Sequence, residues 1–434
     1  MNRPLLIISA PVDTYSGYGA RARDIVLALL KLDKYDVQIL AQRWGNTRTG
    51  YLKDHKLAAI KSRIVPQIAS KPQIWIQLTV PNEFQAIGEF NIGMTAGMET
   101  TLVAPQWIDG MNKMDVNFVS SIHSKDVFER TSFDMKNKKT NQLERQVKLE
   151  KPIEVLLEGA DLTKYLPAKS SIDLSEVKES FAYLVCGHWM QGSMGHDRKN
   201  IAYTIKSFFE TFKNSLGKTP ALIVKTSRVS SSIMDREAIL DQIDSIRKSV
   251  NGSKFPNVYL VHGEMSDTQV NELYNHPKVK AMISLTKGEG FGRPLLEFSL
   301  TKKPIIASGW SGQLDFLKPE YSYLLPGTIH PVDNSAVVPD MILPEAQWFQ
   351  PDAGSVAKAY KEVFKQYKKF ETKGKQQAQF SRANFSFDTM VTKLDELLVK
   401  YLPVFAEKTQ LEMPKLKLPT LKKKTQELVL PKLK

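Results

Sequence analysis

The 434-residue chain has a single cysteine, Cys186, so it closes no internal disulfide, and a reducing compartment fits it best. No apolar run approaches the ~18 residues that a membrane helix needs. The opening MNRPLLIISAPVDTYSG holds an apolar run too short for a secretory signal, and it reads as a first buried strand. Asp-x-Asp occurs nowhere, and His and Cys never cluster at ligand spacing, so neither a metal nor a cofactor is expected. LGKT at 216–219 is no P-loop, because Phe212 stands where the first glycine belongs, and SGWSG at 308–312 misses the G-x-S-x-G spacing by one residue. A composition that is 42% apolar and 24% charged leaves a globular chain of two or three domains, expected to be soluble and cytoplasmic. Positive charge is what is in excess. Sixty Lys and Arg against 46 Asp and Glu give +14, which suggests an anionic partner such as nucleic acid, a phospholipid surface or an acidic glycan.

Short apolar runs alternate with helical patterns along the chain. LLIISAP (5–11) and DVQILAQ (36–42) flank ARARDIVLALLKL, a βαβ opening that favours a parallel sheet covered by helices. QIWIQLTV, FNIGMTA, VNFVSS and IEVLLEGAD continue as strands. A second series follows in FAYLVCG, ALIVKTS, NVYLVHG, VKAMISL and KPIIASG, again with helices between. The fold class is therefore α/β, with two Rossmann-like domains facing a cleft. Residues 1–165 form the first domain, 166–180 a polar linker, 181–385 the second domain, 386–402 a final amphipathic helix and 403–434 a tail. That tail carries eight lysines, three glutamates and four prolines, which reads as a flexible basic segment that docks on a partner or an anionic surface.

SLTKGEGFGRPLLEFSL (284–300) carries the chemistry. Glu289 and Glu297 flank a glycine-rich turn at the carboxyl end of a buried strand, where open α/β sheets bind ligands. Gly290 and Gly292 allow close approach of the backbone to a ligand, and Pro294 suits the start of a helix. A carboxylate accepts two hydrogen bonds from a vicinal diol, so two carboxylates beside a phosphate-friendly turn suit a nucleotide-sugar. KGEGFGRPLLE resembles the E-x7-E signature of the large retaining glycosyltransferase group with the GT-B fold, family four in the usual classification. VNFVSSIHSKDVFERTSF, IEVLLEGADLTKYLP, FAYLVCG…RKNIAYTIKSF, PIIASGWSGQLDFL and AQWFQPDAGSVAKAYKEVF are similar to further family segments in the same order, together covering residues 5–400.

The resemblance implies a hexosyl- or pentosyltransferase that moves a sugar from a nucleotide-diphosphate donor to an acceptor hydroxyl, with retained configuration and without metal. Glu289 would support the developing oxocarbenium charge, and Glu297 would hold the ribose. Phe291 belongs to the same donor loop. Arg198 and Lys199, just before a helix, would neutralise the leaving diphosphate. His188 stands where the family usually has an arginine, and Lys225 at the end of ALIVK is the candidate substitute. Gly17 and Gly19, in DTYSGYGARAR, match G-x-G-x-x-A, yet Ala41-Gln42-Arg43-Trp44 brings no acid to the end of the second strand for a dinucleotide. The resemblance places this loop beside the donor phosphates and the acceptor. Glu99 either contacts the sugar or acceptor hydroxyl or simply starts a helix, and His123 is structural or on the acceptor side. Three acceptors stay open: a cell-surface glycan or glycolipid, a hydroxymethylated base in viral DNA, and a protein side chain. The chain would accordingly be cytoplasmic, peripheral to a membrane or associated with DNA. A non-catalytic nucleotide-sugar binder is the alternative.

Overall fold

The computed structural model describes residues 3–137, 139–190, 192–228 and 231–405, so all but the first three residues of the expected tail lie outside the described residues. The first domain holds strands β1 (Leu5–Ala10), β2 (Asp36–Ala41), β3 (Ile74–Leu78), β4 (Phe90–Thr95) and β5 (Val116–Val119), a hairpin of β6 (Ser132–Lys136) and β7 (Leu143–Lys148), and β8 (Ile153–Val155). Six of these form one sheet in the order β2-β1-β3-β4-β5-β8, with every pairing parallel. Its helices are α1 (Gly17–Leu32), the one-turn α2 (Tyr51–Asp54) and α3 (Ala58–Lys61), α4 (Pro105–Met111) and α5 (Ile122–Arg130). Helices cover both faces of the central strands, and β1 and β3 are accordingly almost continuously buried and apolar.

The second domain repeats the plan with β9 (Ala182–Cys186), β10 (Ala221–Lys225), β11 (Val258–Val261), β12 (Val279–Ser284), β13 (Ile305–Ser308) and β14 (Tyr323–Leu325) in the parallel order β11-β10-β9-β12-β13-β14. An antiparallel pair, β15 (Gly327–Pro331) and β16 (Gln347–Pro351), stands apart from that sheet. The helices here are α6 (Ile201–Phe212), α7 (Ile233–Ser249), α8 (Asp267–Asn275), α9 (Arg293–Ser299), α10 (Ala353–Lys365) and α11 (Tyr367–Asn384). Each sheet has a core on either side. The two Rossmann-like domains expected from the sequence are therefore present.

The chain then returns. Ser386 caps α12 (Phe387–Tyr401), and Met390, Val391, Leu394, Leu397 and Leu398 of this helix are buried in the first domain's core beside α1. At about 2 kcal/mol per buried aliphatic side chain, that seam is a strong tether. Among the described residues, no helix is long and apolar enough to cross a membrane.

Candidate active site

The carboxyl ends of both sheets face each other, and the loop after β12 is where the domains touch. Gly288 and Gly290 serve this contact, and Gly312 packs behind them within the second domain. A Cβ on Gly288 would lie 1.9 Å from the Glu99 carbonyl oxygen, and one on Gly290 would lie 2.2 Å from that of Ala96. One on Gly312 would lie 2.4 Å from the Gly290 carbonyl oxygen. The sequence reading assigned the close approach at Gly290 to a ligand, whereas here the space its missing side chain leaves is taken by the opposite domain's backbone. Gly292 has a different reason, since it caps α9 at φ +100°. Ser120 Oγ sits 2.6 Å from Ala96 O and 3.2 Å from Gly290 O, pinning the two loops together.

Glu289 lies in this contact, almost fully buried. Lys199 Nζ donates to Oε1 at 2.6 Å and Oε2 at 2.8 Å, and Arg198 Nη1 reaches Oε2 at 3.3 Å. Arg198 also bonds Gly288 O at 2.8 Å and faces Glu99 Oε1 across the domain boundary at 3.5 Å. These cations sit just ahead of α6, whose first residues are tied to the glutamate loop by Lys287 N donating to Arg198 O at 2.8 Å. Burial opposes the Glu289 charge, but Lys199 and Arg198 outweigh it and hold the carboxyl below its usual range. Two buried cations shared by two carboxylates are tolerable because each is paired.

Glu297 belongs to a second knot. Arg293, at the first turn of α9, bonds Glu297 Oε1 through Nε at 2.8 Å, Asp24 of α1 through Nη1, and Glu158 Oε2 at 3.4 Å. One guanidinium therefore serves three carboxylates from both domains, with Asp267 close by. Burial above all, with Asp267 adding to it against the opposing Arg293, pushes Glu297 up to about 7. Arg293 and Asp24 went unnoticed in the sequence, where Glu158 was read only as part of the IEVLLEGAD segment. Arg293 at a helix start after a glycine was visible, but its partners were not.

The other expected residues divide. His188 stands just past β9, with Nδ1 3.1 Å from Ser227 Oγ, and burial together with the Lys199 charge lowers its pKa. Lys225, at the end of β10, donates to Gly263 O at 2.7 Å and does not reach Glu289; burial lowers its pKa. The Phe291 ring packs in the core against Phe316, 5.0 Å between centroids, so only its main chain faces the loop. Gly17 and Gly19 open α1 across the cleft. Ser16 Oγ accepts from Gly19 N at 2.9 Å, and a Cβ on Gly19 would meet Thr14 O at 2.5 Å, so Gly19 is a packing requirement, while Gly17 has nothing within 4 Å. Between them, the Tyr18 hydroxyl lies 2.8 Å from Thr95 Oγ1. His123 meets Trp310 edge-on at 4.6 Å, and burial lowers it to about 4, so it is neutral.

Ser311 was also missed. It is buried at φ 71° and ψ −159°, a region occupied almost only by glycine. Its Oγ accepts from Glu289 N at 2.9 Å and lies 3.1 Å from Gln313 Oε1. The strained residue thus holds the main chain of the glutamate loop.

No family model matches the chain, and no curated protein matches it. Solved structures do. A glycosyltransferase from Rickettsia africae superposes with a TM-score of 0.61 at 12% identity, over 93% of this chain and 99% of that one. Sucrose-phosphate synthase from Thermosynechococcus elongatus gives 0.58 at 12% identity, over 92% and 99%. HepE of Anabaena, in complex with UDP and glucose, gives 0.54 at 11% identity, over 92% and 100%. At such identities the likeness is one of architecture: the chain has the GT-B fold, two Rossmann-like domains facing across a cleft.

Proposed function

We propose that the protein is a metal-independent retaining glycosyltransferase that moves a sugar from a nucleotide-diphosphate donor to an acceptor hydroxyl. One observation carries this reading. Arg198 and Lys199 converge on Glu289 at the carboxyl ends of the second sheet, directly opposite Glu99 of the first domain. The pair of cations suits a leaving diphosphate, and Glu289 is placed to stabilise positive charge developing at the sugar. Glu297 takes the ribose diol once its bond to Arg293 is shared. The HepE complex with UDP and glucose is consistent with such a donor on this fold.

In a retaining transfer of this kind the acceptor oxygen bonds to the anomeric carbon as the bond to the diphosphate breaks. The acceptor proton passes to the leaving phosphate oxygen on the same face. The protein supplies alignment and charge, with no conventional base. Glu99, on the acceptor side of Arg198, orients the sugar or the incoming hydroxyl. The acceptor is a surface glycan or glycolipid, a hydroxymethylated base in DNA, or a protein. The basic tail is read as an element that attaches the enzyme to a partner or surface.

The test is binding and hydrolysis of UDP-, GDP-, ADP- and TDP-sugars in the presence of a chelator, for the wild type and Glu289→Ala. The variant should lose more than tenfold in turnover while still binding nucleotide, as removal of transition-state charge stabilisation does. If no donor binds, or if the variant keeps full turnover, the reading fails.

A further inference from the structure

The connection between β2 and β3, residues 42–73, contains seven basic residues and one acid, a net +6 out of the chain's +14. Arg43, Arg48, Lys53, Lys56, Lys61, Arg63 and Lys71 are all exposed. β2 is the edge strand of its sheet, and Ile64 bridges Ile39 in parallel, so the connection returns to that edge and runs beside β2. Arg63 bonds Val37 O near the start of β2, and Arg48 reaches Glu264 of the second domain at the other end, so the basic segment extends along the edge as a stripe.

Its upper end opens on the acceptor side of the cleft. Gln42 N bonds Ala10 O at the carboxyl edge of the sheet, and Trp44 stacks on Tyr18 at 3.9 Å. Tyr18 in turn touches Thr95, four residues before Glu99. Tyr51 lies between His55, stacked at 4.0 Å, and the Arg23 guanidinium, 3.4 Å from its centroid, so it packs the connection itself, while half-buried Trp44 stands beside Arg43 among the charges.

Acids face part of the stripe. Arg48 is paired with Asp54 and, from the second domain, Glu264. Asp13 is occupied by the Gly50 and Leu52 amides. Asp33 is bound to Arg3, in the hollow that Arg63 also lines. Arg43, Lys53, Lys56 and Lys61 make no ion pair among the described residues.

We propose that this stripe binds a nucleic-acid backbone and leads it to the cleft, making nucleic acid the acceptor-bearing polymer. A stripe of cations with Trp44 among them matches a chain of phosphates carrying stackable bases. None of the exposed large apolar side chains falls within residues 42–73, which favours a charged polymer over a bilayer as the occupant. The inference rests on the transferase reading for its consequence, but not for its measurement.

The experiment compares the full chain with a quadruple variant, Arg43→Gln, Lys53→Gln, Lys56→Gln and Lys61→Gln, all surface changes. Binding of a labelled single-stranded oligonucleotide is followed from about 50 to 200 mM salt. The wild type should bind, and the variant should bind at least tenfold more weakly at low salt. The slope of log affinity against log salt should flatten by about 3, from ~0.7 per lost phosphate contact. Hydrolysis of the nucleotide-sugar should be the same in both proteins. Equal slopes and affinities would overturn the proposal. So would binding by the wild type to phosphatidylserine vesicles with none to the oligonucleotide. If the oligonucleotide results hold and no nucleotide-sugar is hydrolysed, the transferase reading falls and the stripe stands.

Discussion

If Glu297 holds the donor ribose as proposed, donor affinity depends on pH. Its carboxyl is pushed up to about 7 because burial, with the Asp267 charge adding to it, outweighs the opposing Arg293. Ribose hydroxyls donate to a carboxylate, so donor binding favours the ionised form and draws its pKa down. With a free-enzyme pKa near 7 that donor binding draws down, donor affinity should rise about tenfold between pH 6 and 8, or ~1.4 kcal/mol. At pH 7 binding should release about half a proton. A nucleotide-sugar is the right probe, since its diphosphate is esterified at both ends and lacks the phosphate ionisation near pH 6. His188 acts in the opposite sense, because its charged form attracts the diphosphate, but burial and Lys199 place its titration below the ordinary histidine value. Calorimetry in two buffers of different ionisation enthalpy reads both affinity and proton release. Glu297→Gln should bind more weakly at pH 8 and lose the rise. Arg293→Met, which leaves three carboxylates without their shared cation, should move the midpoint upward. Affinity that stays flat or falls from pH 6 to 8, or a rise that survives in Glu297→Gln, would refute the reasoning.

Gly288→Ala places a Cβ 1.9 Å from Glu99 O, so the domains must part. Transfer should fall more than tenfold, as loss of alignment by about 1 Å does, with a larger radius of gyration in solution scattering. Gly217→Ala, whose Cβ would have nothing within 4 Å, is the control. At Ser311 the two small substitutions should separate: both lose the Oγ that accepts from Glu289 N, but alanine keeps the strained backbone, whereas glycine removes the strain and offsets that loss. Denaturant unfolding should show the alanine variant less stable by about 1–3 kcal/mol, with the glycine variant near the wild type. A glycine variant as unstable as the alanine variant would contradict the assignment of strain.

Legibility in the sequence followed the range of the physics. The parallel strands were readable because burial on both faces makes LLIISA or ALIVK apolar along nearly its whole length, and the glutamate pair because helix and turn set its spacing locally. The β6–β7 hairpin was not readable. Its residues are mostly exposed, so no alternation marks SFDMK or LERQVK. α11 carries a mid-helix Gly374 and a weak apolar face. The reason lies in another element, since a Cβ there would sit 2.7 Å from the Lys303 backbone. The Arg293 knot joins residues 135 and 269 positions apart, a contact that no local pattern encodes.

The same distinction bears on why Glu289 is paired at all. A transferase needs buried cations for a diphosphate, and unpaired buried cations would be costly or would lose their charge. Glu289 and Glu99 supply the balance from two different domains. On the proposed reading, a diphosphate that engages Lys199 would compete with Glu289 for the same donors, and the displaced carboxylate would be left beside the sugar where positive charge develops. One contact would then neutralise the cations in the free protein and free the stabilising group on donor binding. Because Arg198 also faces Glu99 across the domain boundary, donor binding would be coupled by charge to the closeness of the two domains.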